Sequence, residues 1–197
     1  MVSYDTNCNG LPDDEWYELA GSEYYKAETR HNYTITYRRP DPNRIPEEDD
    51  SGFLDDINYI PWSDSDGASG HMAKNTFHNQ SYYPLWIKAD TISFTGTRLA
   101  PNGIDLSGTG RYYVLYAYDW GYVDNHPNEY DELNSFDISW AVDSEGNKVH
   151  LPGVDFVRVY TGLNQYCGWL GETSTELSRA QDLHIALPGI PLPDPLE

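Results

Sequence analysis

The sequence is short of cysteine, of basic residues, of long apolar runs and of helix-forming stretches, and each shortage removes a class of answer. Two cysteines, Cys8 and Cys167, in 197 residues permit one disulfide but no disulfide framework. With no CxxC and no Cys/His cluster, a zinc site is excluded as well. Only one pair is available and nothing in the sequence brings it together, so two free thiols are expected. Lysine and arginine total 12 against 32 acidic residues, a formal charge of −20, which argues against nucleic-acid backbones and anionic membranes as partners. Cations, neutral ligands and basic partners remain open. No apolar run approaches the ~18 residues of a membrane span, so no membrane insertion by this domain is expected, and no signal peptide is present.

Catalytic signatures are missing too. "GASGH" lacks the glycine a GxSxG elbow requires, "GTGRYY" has Tyr113 where GxGxxG needs glycine, and there is no P-loop. The six histidines (31, 71, 78, 126, 150 and 184) are scattered, with no HExxH spacing. No catalytic residue is therefore assigned and no enzymatic activity is expected. One alternative stays open. A glycosidase pair is defined by the separation of two carboxylates in space, which sequence cannot supply, so a glycan-active hydrolase competes with a binding module and with a structural spacer.

Aromatic residues are plentiful: 14% of the chain, with 17 Tyr and 6 Trp. Acidity combined with this much aromatic surface indicates a folded domain rather than a disordered one, and the length suits one domain with a sizeable core. Alternation marks the strands. "NYTITYR" sets Tyr33, Ile35 and Tyr37 on one face, and "TISFTGTRL" (91–99) alternates Ile92 and Phe94 with Ser93 and Thr95. "RYYVLYAY" (111–118) is apolar on both faces, as a central strand would be, and "SFDISWAV" (135–142) and "VDFVRVYT" (154–161) complete the set. Turn signals separate them, so the expected fold is all-β, an antiparallel β-sandwich of jelly-roll type, over residues 1–188. One short helix is expected at "DDEWYELAG" (13–21), started by an aspartate cap and stopped by Gly21. Residues 41–82 read as a long irregular segment, functional or mobile, and 189–197 as a Pro-rich linker. Met1-Val2 enters a motif abruptly and Leu196-Glu197 resembles a cloning remnant. An excised domain is therefore expected, with any export signal or anchor outside it.

"DTNCNGLPDDEWYE" (5–18) has the spacing of a calcium loop. A hard cation takes six to eight oxygens from alternate loop positions. Here they come from Asp5, Asn7, Asn9, the Leu11 carbonyl and Asp13, with Gly10 at the sharp turn. The twelfth position, normally a bidentate Glu, is Trp16, so either Glu15 or Glu18 must close the loop. No incoming helix precedes it, which excludes a helix-loop-helix sensor and favours a stand-alone loop with affinity on the order of 10⁻⁴ to 10⁻³ M. The competing reading is an Asx-rich turn bonded to itself. For an organic ligand, the densest mixture of rings and acids lies in 116–137, where Asp119, Trp120, Tyr122 and Asp124 follow a strand. Trp169, near Glu172 and Glu176, is a second candidate. Such residues suit a glycan or another polar ring-shaped ligand, or else they cap the core.

"DTNCNGLPDDEWYELAGSEYYK", "SYYPLWI", "FTGTRL", "YYVLYAYDWGYVDN", "FDISWAVDSEGNKVHLPGVDFVRVYTG" and "GWLGETSTEL" follow one another along nearly the whole chain. Together they resemble the module of secreted or lipid-anchored bacterial proteins called cell surface proteins. Position 8 is more often glycine in such loops, and Cys8 departs from that. The resemblance implies an extracytoplasmic address, PKD-type neighbouring modules and association with TonB-dependent receptors, some of them linked to corrinoid uptake. The resulting expectation is a calcium-stabilised surface module that binds a glycan first and a corrinoid or another TonB-imported nutrient second.

Overall fold

The computed structural model describes residues 1–183, so the expected linker at 189–197 lies outside the described residues. The chain is built from antiparallel strands: β1 (Val2–Ser3), β2 (Trp16–Leu19), β3 (Arg30–Arg38), β4 (Leu54–Asp64), β5 (Ser69–Asn75), β6 (Thr91–Arg98), β7 (Gly103–Asp105), β8 (Tyr113–Leu115), β9 (Ala141–Val142) and β10 (Phe156–Val157). They form a four-stranded sheet ordered β5-β4-β3-β6, a second ordered β10-β1-β2-β9, and a two-stranded ribbon β7-β8. The all-β sandwich class expected from the sequence is the class observed.

The first sheet grows out of the alternation in β3. Tyr33 and Ile35 are buried, each 1% exposed, and β6 runs antiparallel in the register Ile35↔Phe94 and Tyr37↔Ile92. On the opposite face the hydroxyls of Thr34 and Thr95 meet at 2.7 Å, and those of Thr36 and Ser93 at 2.8 Å. These are the cross-strand pairs that fix register on a polar face.

Residues 41–82, expected to be irregular, contain the longest strand among the described residues and its hairpin partner. Two register shifts in the β4–β5 pairing, between Leu54 and Asp56 and between Asp56 and Ile60, explain why β4 does not read as a strand. A bulge inserts a residue and reverses the inside-outside parity, so the alternation never runs long enough to be seen. Pro61 lies just before Trp62, the first residue of β4 paired with β3, where the proline has one neighbouring strand fewer to interrupt. Between β4 and β5 the chain turns on Asp64, whose Oδ1 accepts the amides of Asp66 and Ala68.

The expected helix at 13–21 is not formed, and Trp16–Leu19 is strand β2. An isolated helix of nine residues is marginal in water. Trp and Tyr favour a pleated surface, and β1 and β9 flank the segment in the registers Ser3↔Trp16 and Leu19↔Ala141. Pairing on both sides outweighs a weak local preference. Of the two aspartates that open the segment, Asp14 accepts a hydrogen bond from the Thr6 hydroxyl and Asp13 faces the Asn9 side-chain amide. Gly21 stops no helix; it is the place where another backbone passes, as described below.

Three further strands are shorter than their sequences suggest. Residues 111–118 contribute only Tyr113–Leu115, and to the ribbon rather than to a sheet centre. Tyr112, Leu115 and Tyr116 are about half exposed. Past β8, Asn125 supplies both partners that a strand would give Tyr118: its Oδ1 accepts the Tyr118 amide and its Nδ2 donates to the Tyr118 carbonyl, both at 2.7 Å. Residues 135–142 become a 3-10 turn over Ile138–Trp140 followed by β9, and 154–161 retain only the two residues of β10. Polar side chains tie the first sheet to its surroundings. Thr97 on β6 donates to Glu18 on β2 at 2.7 Å, and Tyr37 on β3 donates to Glu172.

Candidate functional site

The Asx-rich loop joins β1 to β2, and Asp5 organises it. Asp5 Oδ1 accepts the Asn9 amide at 3.1 Å and Oδ2 accepts the Gly10 amide at 2.8 Å. Gly10 has φ +74°, a left-handed conformation that glycine adopts without penalty and that curls the chain back over the carboxylate. Asn7 Oδ1 also accepts the Asn9 amide, and Asn9 Oδ1 accepts the Leu11 amide at 2.7 Å. Asn9 Nδ2 faces both oxygens of Asp13 at 3.2 Å. The side chains of Asp5, Asn7, Asn9 and Asp13 are thus joined in one network. Asp155 anchors the loop to the body by accepting the Asp5 amide at 2.7 Å.

The two expected closing carboxylates go different ways. Glu15 stays exposed and accepts the Tyr17 hydroxyl at 3.0 Å. Glu18 turns into the sandwich to meet Thr97, and burial pushes its carboxyl pKa up. Asp14 was not among the expected ligands, yet its Oδ2 is buried and has no hydrogen-bond partner. Among the described residues no group of three or more His, Cys, Asp or Glu side chains forms a metal cage; the loop's other oxygens come from asparagine amides and backbone. Both thiols are free, Cys8 exposed in this loop and Cys167 buried.

The residues expected to bind an organic ligand fall into separate places. Tyr122 packs inward, where its ring carbons lie 2.8 Å from the position a Cβ on Gly21 would take. Its hydroxyl accepts the Glu23 amide at 3.1 Å, and burial raises its phenol pKa above the ordinary range. Gly121, at φ +87°, lets the loop backbone approach Gly21 so closely that a Cβ there would lie 2.6 Å from the Gly21 Cα. Trp120 is 39% exposed and its ring leans on Trp140 at 4.5 Å between centroids. Asp119 is exposed and borders a hollow of about 330 Å³ with Glu23 and Lys26. Asp124 accepts the Glu176 amide at 2.9 Å.

Trp169 belongs to another ring cluster. It stacks on Phe53 at 4.9 Å with 20° between the planes, and meets Phe77 at 5.5 Å with the rings tilted by 44°. Its indole Nε1 donates to the Arg111 carbonyl at 3.4 Å. Phe53 precedes β4 and Phe77 follows β5, so the base of that hairpin presents two rings to the indole. Phe77 is 58% exposed, whereas Phe53 and Trp169 are half-buried, so Phe77 is the ring of this cluster most open to solvent.

Sequence reasoning missed Phe53 and Phe77, and it missed a cleft of about 720 Å³ between the 39–48 segment, the β4–β5 hairpin and residues 81–85. Arg39, Arg44 and Lys74 line it, a quarter of the 12 basic residues. The available signal was the length of the apparent loop 41–82. The carboxyls whose pKa burial raises, Glu18 and Glu172, line neither this cleft nor the smaller hollow.

No protein-family model matches the chain, and no curated protein matches it. Among the described residues no helix is long and apolar enough to cross a membrane.

Proposed function

We propose that this chain is a ligand-binding module of an extracytoplasmic bacterial surface protein, stabilised by calcium, with a glycan as its ligand. The observation that carries the binding reading is the partly exposed ring cluster of Phe53, Phe77 and Trp169. Flat aromatic faces held in place by their neighbours offer stacking area with little side-chain entropy to lose, and this suits the apolar faces of sugar rings. The extracytoplasmic address and a TonB-dependent receptor as partner rest on the resemblance of the sequence blocks.

Calcium fits the chemistry of the N-terminal loop. Asp5, Asn7, Asn9, Asp13 and the Leu11 carbonyl would hold the ion through oxygen alone, as a hard cation requires. Asp14, with one buried oxygen lacking a partner, is better placed than the outward-facing Glu15 to complete the set. The ion would neutralise the loop's carboxylates and brace the connection between β1 and β2.

The test is a glycan array, supplemented with cobinamide and cobalamin, probed with the natural protein and with Trp169→Ala. Loss of an aromatic anchor should weaken binding by ~2 kcal/mol or more, about 30-fold. A protein that binds nothing on the array, or whose binding survives both Trp169→Ala and Trp120→Ala, is not the module proposed.

A further inference from the structure

The cleft beside β4 has walls fixed by bonds that no ligand is needed to make. Asp56, 3% exposed, pairs with Arg44 and accepts the amides of Glu47 and Asn58. The Ile57 amide donates to the Glu47 carbonyl at 2.8 Å, and Asn58 Nδ2 to Glu47 Oε2 at 2.7 Å. The segment before β4 is therefore strapped along that strand. On the other side, Arg39 lies over the Tyr83 ring at 4.6 Å and donates to the Ala89 carbonyl, which also accepts the Tyr83 hydroxyl. This fixes a loop whose Leu85 and Trp86 stand 82% and 81% exposed. Lys74 reaches over Tyr59 at 5.6 Å and spends one bond on the Asn79 carbonyl, leaving two of its three donors.

The chemistry of the lining selects a ligand class. Three cations and four carboxylates border the cleft. Arg44 pairs with Asp56 and Arg39 with the exposed Asp90 at 3.5 Å, which leaves Lys74 as the unpaired lining cation against Asp41, Glu48 and Asp55. Among the described residues no hydrogen bond or ion pair ties up the carboxylates of Glu48 and Asp55. A polyanion would meet these acids and the overall charge of −20, and a polycation would meet Lys74. A hydroxyl both donates and accepts, so a neutral polyol satisfies both signs at once. The volume, about 720 Å³, falls within the ~300–1,000 Å³ of small-molecule sites. Asp55 follows Phe53 by two residues, ~7 Å of strand, and Lys74 precedes Phe77 by three. The cleft and the ring stack therefore share one end of the β4–β5 hairpin.

We propose that the cleft is the hydrogen-bonding half of the ligand site, that it takes a neutral oligosaccharide, and that the same ligand continues across the Phe53–Phe77–Trp169 surface. This rests on the glycan-binding reading above and adds the place and charge of the ligand. Glu48 and Asp55 accept from sugar hydroxyls there, and Lys74 donates to them.

Titration calorimetry of the whole chain with cellotetraose, xylotetraose, maltotetraose and tetragalacturonate tests this, using the isosteric variants Asp55→Asn and Glu48→Gln beside Trp169→Ala. At least one neutral tetrasaccharide should bind, with tetragalacturonate at least tenfold weaker. Each cleft variant should weaken the neutral sugar roughly tenfold, as expected for a lost charge-assisted hydrogen bond. Tetragalacturonate binding as tightly as the neutral sugars, or no neutral sugar binding at all, overturns the proposal. Cleft variants within twofold of the natural protein, beside a Trp169→Ala variant that no longer binds, overturn the cleft and leave the binding module standing. Cobinamide or cobalamin binding lost in Trp169→Ala, with no sugar bound, likewise removes only the oligosaccharide.

Discussion

The two four-stranded sheets are held by different means. Sheet β5-β4-β3-β6 has strands of 7 to 11 residues, long enough for the backbone ladder and one apolar face to define it. Sheet β10-β1-β2-β9 has strands of two to four residues, too short for a ladder to hold alone. Its order comes from side chains that take the place of strand partners. Asp5 gathers the loop amides, Asp155 fixes the Asp5 amide, and Tyr122 receives the Glu23 amide. Strands β3 and β6 are specified by pattern, β4 and β5 by pairing within their hairpin, and the short strands by particular polar atoms in distant parts of the chain. Substitutions should therefore act through packing in the first sheet and through single hydrogen bonds or backbone approaches around the second.

The largest effect is expected at Ile35, at the centre of β3 and 1% exposed. Ile35→Ala should cost about 2–5 kcal/mol through lost burial and the cavity left behind. In a domain of this size that lowers Tm by roughly 4–20 °C, which thermal unfolding will read. Next comes Gly121→Ala. The new Cβ would meet the Gly21 backbone, and the left-handed φ disfavours any side chain, so a loss of about 2–3 kcal/mol is expected. A change below about 0.5 kcal/mol would mean that the 119–124 loop does not brace residues 20–24.

Tyr122→Phe sharpens the comparison further. It keeps the ring against Gly21 and removes only the acceptor for the Glu23 amide. Leaving that donor unpaired should cost about 1–3 kcal/mol in urea unfolding. Thr34→Ala, which breaks one outer-face hydroxyl pair of the long-strand sheet, should cost less, within about 1 kcal/mol. The reverse order would contradict the contrast between the sheets.

The same contrast explains what could be read in advance. β3 and β6 are legible because alternation runs unbroken through Tyr33–Tyr37 and Ile92–Thr95. β4 is hidden by its two bulges and its run of polar residues. β2 is misread because Asp14 and Gly21, which look like helix punctuation, serve a hydroxyl and a neighbouring backbone instead. Around the candidate sites, the Asp5–Asp13 spacing is visible as a motif because its partners are local. Phe53, Phe77 and Trp169 lie more than ninety residues apart at the extremes and meet only through the hairpin. The cleft is assembled from four segments and has no linear signature.

A smaller effect concerns pH. Burial raises the Glu18 carboxyl, while the hydrogen bond from Thr97 pulls it down. Because the net shift is upward, the folded state holds this proton more firmly than the unfolded one. Between the ordinary value of 4.5 and the raised one, its contribution makes stability fall as pH rises. Glu18→Gln keeps an oxygen for Thr97 and removes the titration, so the variant should show a flatter stability curve above pH 4.5 and no loss at pH 7. A steeper curve, or a loss at pH 7 absent at pH 4, would show that the charged form is the one the fold prefers.

Hydrogen exchange with and without calcium tests the central claim, that the ion braces the short-strand sheet through the loop between β1 and β2. At ~20-fold excess over Kd, calcium should stabilise the folded state by about 2 kcal/mol. Slowed exchange should concentrate in residues 2–19 and 141–142, while 30–38 and 91–98 change little, and Asp5→Ala should abolish the response. Exchange unaltered by calcium in chelator-treated protein, or slowed equally in both sheets and still slowed in Asp5→Ala, would contradict it.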